Sequence, residues 1–259
     1  MQKCLAVVLS SFFLLFVPLR ALAIDYSDIW FLLAESGWGV NLIQNEDVIF
    51  ATFFVYGPNN QPTWFVAVMN RDGNGNFTGN LYTTVGSYYG GPWNPAANSE
   101  TLAGTASFVP SDPYSGTLSY SLTGGPTVVK PIQRQTLRTI VLGGTYSGGQ
   151  VGAYSGSSCS LGNYVDHFDV QVTQPGDGTA TFMFAYKDSG LSCTLSGTLQ
   201  QKGMLYSIPN ASYSCSDGLN TSASLTQIKA TSLGIEGILA APSVAGGCRE
   251  DATFSGALQ

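Results

Sequence analysis

After its first few dozen residues the chain alternates apolar and polar positions with a period of two. Clusters of turn-forming residues interrupt this pattern at short intervals. In the first half it predicts strands over 37–43, 48–56, 62–70, 77–86, 101–109, 114–123 and 126–137. In the second half it predicts strands over 142–147, 150–156, 166–174, 179–187, 191–200, 204–215, 222–230, 232–240 and 250–258. Gln44-Asn45-Glu46-Asp47, Gly57-Pro58-Asn59-Asn60 and Asp72-Gly73-Asn74-Gly75 punctuate the runs with residues that tolerate turn dihedrals. Helical periodicity is nearly absent. Short gaps favour antiparallel neighbours, so the pattern predicts an all-β protein of two antiparallel meander domains, each a small barrel, with β-sandwiches as the alternative. The polar stretch 133–139 and Gly143-Gly144 divide a domain over 24–138 from one over 139–259.

The polarity of the faces differs between halves. In 48–56, Val48, Phe50, Phe54 and Tyr56 oppose Ile49, Ala51, Phe53 and Val55; in 63–69, Trp64, Val66 and Val68 oppose Phe65, Ala67 and Met69. Two apolar faces predict cover on both sides. The expected outer cover is the second domain, with a partner subunit or a bound molecule as alternatives. Phe168, Val170 and Val172 oppose His167, Asp169, Gln171 and Thr173, the pattern of a strand wet on one side.

Residues 1–23 break the strand pattern. Lys3 precedes an apolar run from Leu5 to Val17, and Ala21-Leu22-Ala23 forms a small-x-small cleavage site, so the segment reads as a signal peptide of an exported, periplasmic or extracellular protein. The run is too short to span a bilayer, and no later run is long enough for a transmembrane helix. Lys3 and Arg20 are two of the chain's 10 basic residues, whereas all 16 acidic ones lie beyond the leader. The resulting negative charge repels phosphate backbones and disfavours nucleic acid as a partner.

Export makes the cysteines informative. Cys159, Cys193, Cys215 and Cys248 follow the leader, an even number suited to two disulfides. Three pairings are open. Cys193–Cys215 is favoured because 191–200 and 204–215 read as neighbouring strands, which leaves Cys159–Cys248. Closing that longer loop contributes on the order of 4 kcal/mol in a chain-entropy model. No pair has the spacing of a zinc site, no metal is expected, and no cofactor motif is present.

All four tryptophans (Trp30, Trp38, Trp64, Trp93) lie in the first half, which points to a ligand site there. Glu35-Ser36-Gly37-Trp38-Gly39-Val40-Asn41 reads either as a binding mouth, with Trp38 a stacking platform and Glu35 an acceptor, or as an end plug with Glu35 accepting backbone N–H groups. Tyr88, Tyr89 and Trp93 in the following Gly/Pro-rich loop suit stacking on a sugar ring or an extended peptide, or else fold back to bury themselves. The candidate ligand-binding set is therefore Glu35, Trp38, Asn41, Tyr88, Tyr89 and Trp93, with a glycan or small apolar molecule as ligand. Asp72-Gly73-Asn74-Gly75-Asn76 fails the calcium-loop pattern and reads as a hairpin turn. His167, the sole histidine, shares a face with Asp169 but lacks a third metal ligand and reads as a surface residue.

The strings Glu35–Asn41, Phe50-Ala51-Thr52-Phe53-Phe54-Val55-Tyr56 and Gln61-Pro62-Thr63-Trp64-Phe65-Val66 resemble a family of exported bacterial β-proteins. That family carries an E-S-G-W-G-x-N module and a P-T-W turn. Gly144–Gln150, Cys193–Gly197 and Ser212–Cys215 resemble the cysteine-containing module that accompanies it. Phe31-Leu32-Leu33 departs from the more polar lead-in usual there. The resemblance implies a bacterial, exported, all-β protein and no catalytic residues.

No nucleophile motif is present, and no catalytic residue is assigned. The expectation is a non-catalytic binding or surface-interaction protein. The alternatives are a structural component that oligomerises through the 48–69 strands, or a hydrolase using carboxylates near Glu35.

Overall fold

The computed structural model describes residues 24–259 except 157, 158, 160, 161, 245 and 246. The expected signal segment lies outside the described residues. The protein is two closed, eight-stranded, antiparallel barrels in tandem.

The first barrel comprises β1 (Asp28–Phe31), β2 (Gly39–Asn45), β3 (Val48–Tyr56), β4 (Pro62–Arg71), β5 (Phe77–Val85), β6 (Ser99–Pro110), β7 (Ser115–Leu122) and β8 (Thr127–Arg134). Each strand pairs with the next, and Trp30 opposite Arg134 closes the ring. The second comprises β9 (Gly144–Ser155), β10 (Asn163–Thr173), β11 (Thr179–Tyr186), β12 (Ser192–Thr198), β14 (Leu205–Cys215), β15 (Asn220–Ala230), β16 (Gly234–Ala241) and β17 (Arg249–Leu258). The short β13 (Gln200–Lys202) pairs with the start of β14, while β12 pairs with its end; β17 returns to β9. The segment 135–143 joins the barrels. A 3-10 turn at Pro95–Ala97, capped by Asn94, interrupts the β5–β6 loop.

Period-two alternation turns directly into inside and outside. On β3, Ile49, Ala51 and Phe53 are fully buried, while Phe50 and Phe54 face outward. The β4–β5 turn is built by Asp72, whose Oδ1 accepts the backbone N–H groups of Asn74 and Asn76.

Two strand expectations change. β1 is too short, at four residues, to show a pattern of its own, and it forms because β2 and β8 offer it two edges. The predicted strands 142–147 and 150–156 are one strand. Ladders on both sides, with His167 opposite Gly149 and Gly256 opposite Gly148, hold the glycine pair extended.

Tyr26, Trp30, Phe77 and Phe108 fill one end of the first barrel, with the Trp30 and Phe108 rings 5.1 Å apart. Arg134 seals that end. Its guanidinium lies 5.0 Å from the Trp30 ring centroid, pairs with Asp28 at 3.2 Å, and donates to the carbonyls of Ser27 and Pro113. Both side chains of the pair are almost wholly buried, so each depends on the other.

The second barrel is centred on Phe168, Phe182, Phe184 and Phe254. Its lower end is laced by the linker. The Tyr206 hydroxyl bonds both backbone groups of Ile140, and the Tyr146 hydroxyl donates to the Leu142 carbonyl.

The barrels meet at the sealed end of the first. Met204 N–H donates to Asp28 Oδ2, Gly203 N–H to Thr136 Oγ1, and Gln227 N–H to the Tyr114 hydroxyl. Gly203 has φ +65°, and a Cβ there would overlap Asp28 and Arg134. Glycine is thus required both for the turn and for the close approach.

This junction overturns the expected cover for the outer face of 48–69. The second barrel docks on the Asp28–Arg134 end instead. Phe54 and Trp64, paired across β3 and β4, stay 56% and 51% exposed, with Phe50 and Val68 exposed beside them.

Candidate functional site

The expected first-barrel site assembles only in part. Glu35 accepts from Lys130 Nζ at 2.7 Å and from Trp38 Nε1 at 3.2 Å, which ties the β1–β2 loop to β8. The Lys130 bond holds the Glu35 carboxyl below the ordinary glutamate range. Trp38 is partly buried and packs on the barrel core. Asn41 faces outward on β2, between Ile29 and Thr52. Tyr88, Tyr89 and Trp93 stand exposed, Tyr89 at 95%, on a loop fixed by bonds between Ser87 and Asn94. They have not folded back to bury themselves. Below this rim the interior is occupied by Phe53, Phe65, Leu42, Leu81 and Leu118.

A half-open pocket lies elsewhere, at the open end of the second barrel. A cavity of about 380 Å³ is bounded there by inward-facing residues at the ends of six strands. β9 contributes Gln150 and Tyr154, and β10 contributes Tyr164 and Asp166. Tyr186 ends β11, Tyr213 and Cys215 end β14, Cys193 opens β12 and Glu250 opens β17. Up-and-down topology brings these positions together, because alternate strand starts and ends share one rim.

Glu250 is 4% exposed. Its Oε1 accepts from the Tyr164 hydroxyl and, at 3.3 Å, from Gln150 Nε2. Gln150 Oε1 in turn accepts from the Tyr186 hydroxyl at 2.8 Å, and Tyr213 interacts with Tyr186. Tyr164 reaches across β9 because Gly152, opposite it in the ladder, leaves room for its ring. The Tyr164 ring stacks on Tyr154 with centroids 4.9 Å apart. Asp166 accepts the N–H groups of Asp188 and Ser189, which fastens the β11–β12 loop over the rim.

Burial dominates the electrostatics. It raises the Glu250 carboxyl above its ordinary value, partly opposed by the Tyr164 bond and reinforced by Asp251. Burial and then the Glu250 charge push Tyr154 up to about 12. Tyr164, Tyr186 and Tyr213 are raised for the same leading reason, burial. These phenols remain protonated donors near neutral pH.

Disulfides brace the rim. Cys193–Cys215 joins β12 to β14 in the cavity wall, and Cys159–Cys248 ends two residues before Glu250. His167 points away from the cavity and pairs with Asp188 at 2.7 Å on the surface.

Sequence reasoning passed over Tyr154, Tyr164, Tyr186, Tyr213 and Glu250. The signal available was positional: Tyr213 precedes a cysteine by two residues, Glu250 follows one by two, and Tyr186 ends a strand. A second cleft, about 370 Å³, lies at the junction and includes Asp25, Arg134 and Met204. Arg134 there is already committed to Asp28 and to backbone carbonyls.

No family model matches the chain, and no curated protein is similar to it. Among solved structures it is similar to a chain from Bacteroides fragilis NCTC 9343 described as a "putative outer membrane protein". The identity is 12%, the TM-score is 0.35, and the match covers 90% of this chain and 97% of that one. Among the described residues no helix is long and apolar enough to cross a membrane.

Proposed function

We propose that this is an exported, non-enzymatic binding protein whose ligand enters the open end of the second barrel. The observation that carries the reading is the cavity of about 380 Å³ with Glu250 and four tyrosines at its wall. Its size and its mixture of apolar surface with a few convergent polar groups suit a small molecule. Two disulfides support residence in an oxidising compartment, the periplasm or the cell surface. Glu35, paired with Lys130 and held below the ordinary glutamate range, suits the ionised member of a carboxylate pair and not its general acid.

The test is a ligand-observed NMR screen of small polar, apolar and sugar fragments. It compares the native protein with Leu219→Trp, which fills the cavity rim. Hits that bind the native protein and fail on the variant support the reading. A screen without any hit sensitive to the variant refutes it.

A second reading, self-association, is favoured by the exposed Phe50, Phe54, Trp64 and Val68 on adjacent strands. Sedimentation at high micromolar concentration tests it. A dimer lost in Phe54→Ser supports it, and a monomer removes it.

A further inference from the structure

Resting on the second-barrel reading, we infer that the cavity selects a small organic cation: an amine or quaternary ammonium compound held between tyrosine rings and the Glu250 carboxylate. The charges bordering the space all have one sign. Asp166, Asp188, Asp217 and Glu250 line it, and its described lining contains no lysine or arginine. Asp166 is held by backbone N–H groups, Asp188 by His167 and Asp217, at the exposed rim, by the Leu219 N–H, whereas Glu250 is the buried carboxylate whose hydrogen-bond partners among the described residues are neutral side chains.

Among the described residues the bonds that Glu250 receives from Tyr164 and Gln150 fall on Oε1. Glu250 itself lines the cavity space. A carboxylate withdrawn from water and held by neutral donors is poorly stabilised without a counter-charge. A cation beside it offsets that desolvation, whereas a neutral ligand does not. The surrounding phenol rings supply the second attraction, since a cation over a tyrosine face is drawn to the ring quadrupole. Among the described residues no group of three or more His, Cys, Asp or Glu could hold a metal ion, which favours an organic cation over an inorganic one.

The experiment is calorimetric titration at pH 8 with choline and with 3,3-dimethylbutan-1-ol, in which carbon replaces the charged nitrogen in the same shape. Glucose serves as a neutral polar probe. Choline is expected to bind roughly tenfold or more tightly than the isostere, the scale of a partly desolvated cation–π and ion-pair contribution. Leu219→Trp is expected to abolish binding, and Glu250→Gln to remove most of the preference while leaving the isostere's affinity. The choline–isostere comparison needs no variant, so it decides the question even if Glu250→Gln does not fold. Equal or tighter binding of the isostere or glucose overturns the cation inference and leaves the cavity reading standing. Choline binding unaffected by Leu219→Trp places the site elsewhere and overturns the inference. No binding of any of these probes overturns the inference as well; if the fragment screen is also silent, the cavity reading falls with it.

Discussion

The two barrels share strand number, direction and connectivity, yet they use their interiors differently. The first is filled with aromatic and aliphatic side chains and sealed at its base by Arg134 over Trp30. The second keeps a hydrophobic middle but gives its open end to Glu250, Gln150 and a ring of tyrosines. Withdrawing a carboxylate and several hydroxyls from water costs stability. The disulfides stand in the barrel that bears this cost, one in the cavity wall and one at the rim. The fold supplies the scaffold in both halves, and the residues at one rim decide whether that scaffold can hold a ligand.

Reducing the disulfides should break the comparison most. The chain-entropy model gives about 4.6 kcal/mol for the bond spanning 89 residues and about 3.4 kcal/mol for the one spanning 22. Thermal unfolding with and without dithiothreitol should show a large drop in the second barrel's transition and little change in the first. Equal drops in both would contradict the division of labour.

Arg134→Met should act on the first barrel by leaving Asp28 buried and unpaired, a loss of about 3 kcal/mol or more in urea unfolding. Adding Asp28→Asn should recover much of it. If the single change is neutral, Arg134 is not the seal described above.

Gly203→Ala should be milder, about 1 kcal/mol from the positive φ plus the cost of moving Asp28 and Arg134. Proteolysis within 135–143 should accelerate as the junction loosens; an unchanged rate would show that the turn is not closely packed.

The smallest effect concerns pH. Burial raises the Glu250 pKa in the folded protein above its unfolded value, so the folded state binds more protons between those two values. The contribution of this group to stability is therefore fully present below the unfolded pKa and is lost as pH rises through the folded one. Glu250→Gln should lack that loss. Relative to the native protein, it should gain stability as pH climbs from 4 towards neutrality, with Tyr164, Tyr154 and Asp251 unchanged around it. A constant difference between the two proteins across that range would refute the burial cause.

Much of the fold was legible because period-two alternation maps onto a closed sheet without ambiguity. Ile49, Ala51 and Phe53 had to share one face, and Cys193 and Cys215 sat on strands read as neighbours. β1 was hidden because Asp28–Phe31 are too few to show periodicity, and β9 because local glycines suggested a break that long-range ladders override. The outer face misled for a different reason. Apolar patterning on both sides of β3 and β4 reports the chemistry of two surfaces, but not which neighbour arrives. The site was the least legible part. Tryptophans drew attention to the first barrel, whereas the second-barrel cavity is made by tyrosines, a glutamine and a glutamate up to 100 residues apart, as Gln150 and Glu250 are. Only ring closure brings them to one rim.

The central claim, that the second barrel and not the first receives the ligand, is tested most directly by fluorine NMR of 3-fluorotyrosine-labelled protein titrated with choline. Shifts are expected only at Tyr154, Tyr164, Tyr186 and Tyr213, with Tyr88, Tyr89 and Tyr120 unmoved. Shifts at Tyr88 and Tyr89 with the second-barrel resonances fixed would contradict it.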